Sequence, residues 1–376
     1  MKIVADDRIP FLRGVFERMA EVAYWPGDKI GPREVRDADA LLTRTRTRCD
    51  AALLEGSRVK FIASATIGFD HIDQEYCRSR GIAWTNAEGC NAASVTQWVG
   101  SALATVAKWR GLQLQGKTLG IVGVGNVGRR VERLARTLGM QALRNDPPRA
   151  RAEGEAGFVS LEYLIDHSDF ITLHVPLTVG GSDPTFHLVD AALLTRFRTG
   201  AILLNSSRGE VLDSVALKSV LRLGGLGGAV VDVWENEPHI DRTLLELVTL
   251  GTPHIAGYSA DGKANGTAMA VQALSRCFGL GLEDWYPAGL PKPAQPLLNI
   301  DCENRGQEEV LLAAILATYA IEEDDQRLRR SVESFEEQRG NYPLRREFSA
   351  YQVQLSNAGE AVRRSLEDLG FRVVCD

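Results

Sequence analysis

Short apolar runs recur along the chain, and polar or glycine-rich stretches of helical character separate them. Lys2-Ile3-Val4-Ala5, Ala40-Leu41-Leu42 and Phe61-Ile62-Ala63 read as strands. Strands that alternate with helix-compatible segments predict a parallel α/β domain. From Asn91 to Trp109 the pattern changes. Val95, Trp98, Val99, Leu103 and Val106 stand near helical spacing and predict one long helix into a second alternating series. Strands are expected there at 118–123, 141–145, 170–175, 201–205, 228–233 and 247–251, six in the order a doubly wound sheet requires. A late helix, from about Ala264 to Gly279, is expected to fold back onto the first domain.

Pro287, Pro291, Pro293 and Pro296 then interrupt regular structure, and Trp285 to Pro296 reads as a linker. Beyond it, helices are expected at Glu308–Tyr319 and Ala358–Leu369, and strands at Ser349–Leu355 and Phe371–Cys375. Together they make a small α+β module. Its composition differs from the body: from Trp285 onward there are 16 acidic and 11 basic residues.

The 376 residues are 44% hydrophobic, which suits a globular chain, and carry a net charge of −6, which weighs against a nucleic-acid partner. No apolar run approaches the ~18 residues of a membrane helix. Asp6 and Asp7 bring acidity too early for a signal peptide. A cytoplasmic chain is expected, away from membranes. Its cysteines at 49, 77, 90, 277, 302 and 375 lack metal-ligand spacing, so they are expected to be reduced, with no metal site.

The strongest local motif is Gly123-Val124-Gly125-Asn126-Val127-Gly128, placed between an apolar strand and a helical pattern. In G-x-G-x-x-G the first glycine permits a tight turn, the second admits a pyrophosphate to the backbone, and the third allows close helix–strand packing. Helix-start N–H groups then face the phosphates. Asp146 follows the next strand, where a carboxylate accepts from ribose hydroxyls and repels a 2′-phosphate, favouring NAD. Arg144 and Arg149 lie close by and keep a phosphate partner open. His174, at the end of a strand, either lines the cofactor edge or is structural.

Three more segments follow strands of the same series: Asn205-Ser206-Ser207-Arg208-Gly209, Asp232 to Pro238, and Thr252 to Tyr258. Strand ends line the ligand crevice of such sheets, so Arg208, Glu237 and His254 are expected to converge. Oxidation of a secondary alcohol needs a base for the hydroxyl proton, and His254 suits it. A carboxylate such as Glu237 orients the imidazole and favours its protonated form. The planar fork of Arg208 suits a substrate carboxylate. In the first domain, Thr66 offers a hydroxyl after a strand. Arg44 and Thr45, within an alternating Thr/Arg run, either hold a phosphate or form a solvated loop. Arg345 and Arg346 are either a further phosphate contact or an exposed surface pair.

Together these segments resemble the D-2-hydroxyacid dehydrogenase family over roughly residues 1 to 283. The resemblance implies an α/β fold: two Rossmann-like doubly wound parallel-sheet domains plus a small C-terminal α+β domain. It implies a substrate-binding domain from 1–94 and 258–284, an NAD-binding domain from 95–257, and a C-terminal dimerisation domain from 285–376. Arg208, Glu237 and His254 become the catalytic residues. Gly123, Gly125, Asn126, Val127, Gly128, Asp146, His174, Val175, Ser206, Ser207, Asp232 and Gly257 become cofactor-binding, with Asp232 assigned to the nicotinamide carboxamide. Arg44, Thr45, Thr66 and Tyr258 become substrate-binding. Cys90-Asn91-Ala92, Asp146 to Ala150, His254 to Tyr258 and the stretch Asn341-Tyr342 to Tyr351 narrow the resemblance to homodimeric members acting on a phosphorylated hydroxy acid. Another 2-hydroxy acid, such as 3-phosphoglycerate, and an NAD-sensing corepressor-like binding protein stand as alternatives.

Overall fold

The computed structural model describes residues 1–375. They form two compact units, one from residues 1–91 and 259–291 and one from 92–258 and 292 onward.

In the first unit, β1 (Lys2–Asp6), β2 (Glu21–Trp25), β3 (Ala40–Thr43), β4 (Phe61–Ser64) and β5 (Ala83–Thr85) form a parallel sheet in the order β2-β1-β3-β4-β5. The central strands are buried on both faces, as apolar runs without alternation require. Val4, Leu41 and Ile62 pack one face with Val35 and Leu53. Ile3, Ala5, Leu42 and Ala63 pack the other with Val271 and Leu274, which belong to the late helix Ala260–Phe278. That helix begins where Ser259 Oγ accepts from the Gly262 N–H and stops at Gly279, whose φ is +66°. The edge strands β2 and β5 are only part-buried, and they were not among the expected strands although Val22 to Trp25 of β2 is an apolar run.

The second unit holds β6 (Thr118–Val122), β7 (Gln141–Asn145), β8 (Phe170–Leu173), β9 (Ile202–Asn205), β10 (Gly228–Val231) and β11 (Leu250–Gly251), all parallel, in the order β11-β10-β9-β8-β6-β7. Winding reverses between β6 and β8, the switch point at which such sheets bind ligands. The last strand is shorter than expected. Leu247 instead ends helix Arg242–Leu247, which Asp241 caps by accepting from Thr243 and Leu244 while Leu244 and Leu245 turn inward, and the chain bends at Val248 and Thr249 before β11.

The C-terminal region belongs to this same unit. Strands β12 (Leu297–Asp301), β13 (Gln352–Ser356) and β14 (Arg372–Cys375) form a parallel sheet with helices Gln307–Thr318, Ile321–Arg330, Phe335–Gly340 and Glu360–Leu369. The charge-dense sequence of Ile321–Arg330 masked its helical stripe, in which only Ile321 and Leu328 are buried apolar residues. Helix Ala92–Arg110 is buried along nearly all its length. Its apolar side chains Val95, Trp98, Val99 and Leu103 share a core with Val310, Leu311, Ala314 and Ile315. Three of its polar side chains reach the C-terminal region: Ser94 Oγ donates to Glu347 (2.7 Å), Gln97 Nε2 to Thr318 Oγ1 (3.1 Å), and Ser101 Oγ to the Tyr319 carbonyl (2.7 Å).

Among the described residues no helix is long and apolar enough to cross a membrane, and no cluster of His, Cys, Asp and Glu has metal-site geometry. Cys49, Cys77, Cys90, Cys277 and Cys302 form no disulfide among the described residues.

Candidate active site

The glycine loop joins β6 to helix Asn126–Thr137. Gly123 has a φ of +87°, and a Cβ there would lie 2.6 Å from the His174 carbonyl oxygen. A Cβ on Gly128 would lie 2.1 Å from the Gly123 oxygen, so the loop closes on its own helix only with glycine in place. Gly125 differs: nothing lies within 4 Å of its missing Cβ, and no side chain caps the helix it begins. Open space before uncapped N–H groups suits a pyrophosphate. Asp146 secures the loop from β7, its Oδ2 accepting from Val124 N (2.8 Å) and its Oδ1 from Arg149 N (3.1 Å). Arg149 pairs with Glu153, and Arg144 donates to the Gly157 carbonyl and lies 3.7 Å from Glu132. Both cations that could accept a 2′-phosphate are thus engaged. Ser206 Oγ, after β9, is buried with no hydrogen-bond partner, a polar atom that a bound cofactor could satisfy. His174 follows β8, with Nε2 3.0 Å from Thr172 Oγ1, and burial drives its pKa down to about 3, so the ring is neutral. Val175 adjoins it, near enough to Gly123 to meet a Cβ at 2.9 Å. These features suit NAD.

Three loops beyond β9, β10 and β11 carry the expected chemistry. After β9, Asn205 shapes the turn: its Nδ2 donates to the Arg208 carbonyl, and its Oδ1 accepts from Ser207 N and Oγ. Arg208 Nη1 donates to the Ser207 carbonyl (2.8 Å). A Cβ on Gly209 would lie 2.1 Å from the Trp234 carbonyl carbon, so the Arg208 turn presses against the loop after β10. In that loop Glu237 Oε1 accepts from Trp234 N (2.9 Å), and its Oε2 lies 2.7 Å from His254 Nδ1. Glu237 precedes a cis proline. Burial opposes ionisation of Glu237, but the His254 hydrogen bond and charge, the Trp234 N–H and the charge of Arg339 outweigh it and hold its pKa below the usual value.

His254 has a φ of +54°, rare for a residue with a side chain and sustained only where its surroundings over-determine it. Asp232 supplies much of that determination. Its carbonyl accepts from His254 N (2.7 Å), and its carboxylate, 1% exposed, accepts from Thr252 Oγ1 (2.5 Å), Ile255 N (2.8 Å) and Ala256 N (2.9 Å). Both Asp232 oxygens therefore hold the histidine loop. Gly257 and Tyr258 continue it, and the Tyr258 ring meets Tyr342 edge to face at 5.9 Å.

The first unit presents its candidates at adjacent strand ends. Arg44, after β3, sets Nε 3.2 Å from the buried carboxylate of Asp6. Thr45 is exposed beside it. Thr66, after β4, shares a 2.8 Å hydrogen bond with Ser64 Oγ. Arg345 departs from both readings of its charge. It is 5% exposed, neither a surface cation nor a free anion contact, and its Nη2 donates to the Ala256 carbonyl. The contacts of Arg345 and Gly209 could not be read from motif spacing, because each meets a segment remote in sequence.

The D-isomer specific 2-hydroxyacid dehydrogenase NAD-binding domain model matches residues 87–256, and a domain of unknown function matches 290–370. An erythronate-4-phosphate dehydrogenase from Bacteroides fragilis is 49% identical over 357 residues, spanning 95% of this chain and 100% of its own length. This chain belongs to the erythronate-4-phosphate dehydrogenase branch of the D-2-hydroxyacid dehydrogenase family. It is an NAD-dependent oxidoreductase with Rossmann-type sheets. Among solved structures, the TT0316 protein from Thermus thermophilus is 28% identical with a TM-score of 0.62, covering 77% of this chain and 99% of its own. A 3-phosphoglycerate dehydrogenase of Entamoeba histolytica with NAD+ is 25% identical with a TM-score of 0.62, covering 75% of this chain and 96% of its own. The erythronate-4-phosphate dehydrogenase likeness thus extends over more of the chain than either solved structure does.

Proposed function

We propose that this chain oxidises 4-phospho-D-erythronate to 3-hydroxy-2-oxo-4-phosphooxybutanoate, serving pyridoxal 5′-phosphate synthesis in the cytoplasm. The near full-length likeness to erythronate-4-phosphate dehydrogenase, C-terminal region included, carries this reading. NAD, held at Gly123–Gly128, Asp146 and Ser206, supplies the hydride acceptor when bound. Arg208 anchors the substrate carboxylate and orients C2. With Nδ1 directed at Glu237, His254 has Nε2 to take the C2 hydroxyl proton as the C2 hydrogen departs with its electron pair. The ionised Glu237 stabilises the resulting imidazolium. Arg44, Thr45, Thr66 and Tyr258 bind the remainder of the substrate, and residues 285–376 mediate a homodimer. In this reading 1–94 with 258–284 bind substrate and 95–257 bind NAD.

The test is NADH formation by purified protein with NAD, in parallel with a format that regenerates NAD from bound NADH using 2-oxoglutarate. Turnover of 4-phospho-D-erythronate well above 3-phosphoglycerate and D-lactate is expected. Equal or greater turnover of either comparator would assign a different substrate. Sedimentation at micromolar concentration is expected to give a dimer, and a monomer would remove that role from the C-terminal region.

A further inference from the structure

Arg345 presents a chemical puzzle within the second unit. A buried cation ordinarily needs a carboxylate partner. This one is 5% exposed and has no ion pair among the described residues. Its Nε and Nη1 are buried without hydrogen-bond partners. What holds it is the face of Tyr319, 4.5 Å from its guanidinium carbon, with the Tyr342 ring at 5.8 Å. The hydroxyls of both tyrosines donate to Asp324 Oδ2, at 2.8 and 2.6 Å, and Arg327 donates to the other Asp324 oxygen. The ring platform is therefore fixed from below by a buried carboxylate. From this platform Arg345 makes one hydrogen bond, Nη2 to the Ala256 carbonyl at 2.5 Å.

Ala256 lies two residues beyond His254. Asp232 grips the same segment from the other side through the N–H groups of Ile255 and Ala256. The peptide run that sets the left-handed His254 is thus held at its N–H groups by an aspartate of the NAD-binding sheet and at its carbonyl by an arginine of the C-terminal region. A methionine could fill the space of Arg345 without stranding two donors. What the guanidinium adds is a fixed donor to that carbonyl.

We infer that Arg345 is a positioning residue for the dehydrogenase reaction: through the Ala256 carbonyl it fixes the His254 loop so that Nδ1 meets Glu237. This gives the C-terminal region, which a domain of unknown function matches over residues 290–370, a part in catalysis within its own chain. The inference rests on the proposed acid–base role of His254 for its kinetic readout, and on geometry alone for its spectroscopic one.

The experiment compares wild type with Arg345→Met and Arg345→Lys, each checked for native circular dichroism. In wild type, the His254 Nδ1–H held by Glu237 is expected as a low-field proton resonance that His254→Gln removes. Arg345→Met is expected to abolish or broaden it and to lower kcat at least ~10-fold, with KM for NAD and for 4-phospho-D-erythronate within about threefold, within the range spanned by acid–base groups. Arg345→Lys keeps the charge and a donor, and is expected to restore the resonance and most of the lost kcat. A folded Arg345→Met with wild-type resonance and kcat would overturn the inference. So would a variant in which KM rises and kcat holds, since that describes substrate binding. If the methionine variant does not fold, Arg345→Gln carries the same expectations and the same refutations. If wild type turns over no 4-phospho-D-erythronate, the functional reading fails while the resonance still decides the positioning role.

Discussion

At the scale of single residues, the His254–Glu237 contact concentrates the chemistry. In the proposed mechanism, His254→Ala removes the proton acceptor and Arg208→Ala the carboxylate anchor. Each is expected to lower kcat/KM at least ~100-fold, measured as NADH formation at saturating NAD. Near-normal turnover in both would withdraw the assignment. His174 makes a separate prediction about stability. Its folded pKa is about 3, while an unfolded histidine titrates near ~6.5. Between those values the unfolded chain binds the extra proton, so this contribution is complete above the unfolded value and is lost as pH falls below it. From pH 7 to pH 5 the loss is about 2 kcal/mol from this group. Urea unfolding of His174→Gln should show a correspondingly smaller drop over that interval, and an equal drop would show that His174 is not desolvated. The principal side chains were legible because each closes a strand of the alternating series. Asp232 was legible as a position but not as a contact: nothing in its spacing shows that both its oxygens face the loop holding His254.

Elements were legible in proportion to how apolar and continuous they are. Strands β1, β3, β4, β6, β8, β9 and β10 stand out because both faces are covered. Edge strands β2 and β5 are only part-buried, and β12, just after the prolines, alternates exposed and buried positions. The two-residue β11 shows the converse error: of the stretch 247–251 expected as a strand, only Leu250 and Gly251 pair, while Leu247 closes a capped helix. The close packing of loops was also hidden, since it depends on a missing atom. Gly209→Ala would drive a Cβ into the Trp234 backbone, where neither side can yield as a side-chain end could. It is expected to cost about 1–3 kcal/mol of stability, read from urea unfolding, and to cut kcat more than Gly224→Ala, whose missing Cβ has nothing within 4 Å. Gly224 has a φ of +70°, so its alanine variant carries backbone strain without the clash. Equal effects of the two variants would exclude a role for loop contact.

At the scale of the molecule, the second unit draws on two stretches of chain. Trp98, Leu103 and Ile315 belong to one core together with Phe348 and Phe371. A chain ended after Pro291 would leave the buried face of helix Ala92–Arg110 uncovered, with Ser94, Gln97 and Ser101 deprived of their partners. It is expected to be recovered as aggregate rather than as a soluble NAD-binding protein, and a soluble, cooperatively melting fragment would refute this. The pattern of apolar runs suggested an appended module, because a sequence shows where a segment begins but not which helix its apolar residues will cover.

The position of Phe371 in that core bears on the protein's synthesis. Much of the exit tunnel's length separates the newest residues from the folding space outside the ribosome, so a nascent chain cannot place a strand it has only just made. Helix Ala92–Arg110 emerges early and must wait, its apolar surface bare, while more than half of the polypeptide is translated. The dehydrogenase should therefore acquire activity only once Phe371 has cleared the tunnel. Ribosome-stalled chains are expected to remain protease-sensitive at residues 92–110 until a linker added after Asp376 carries the stall well beyond Cys375.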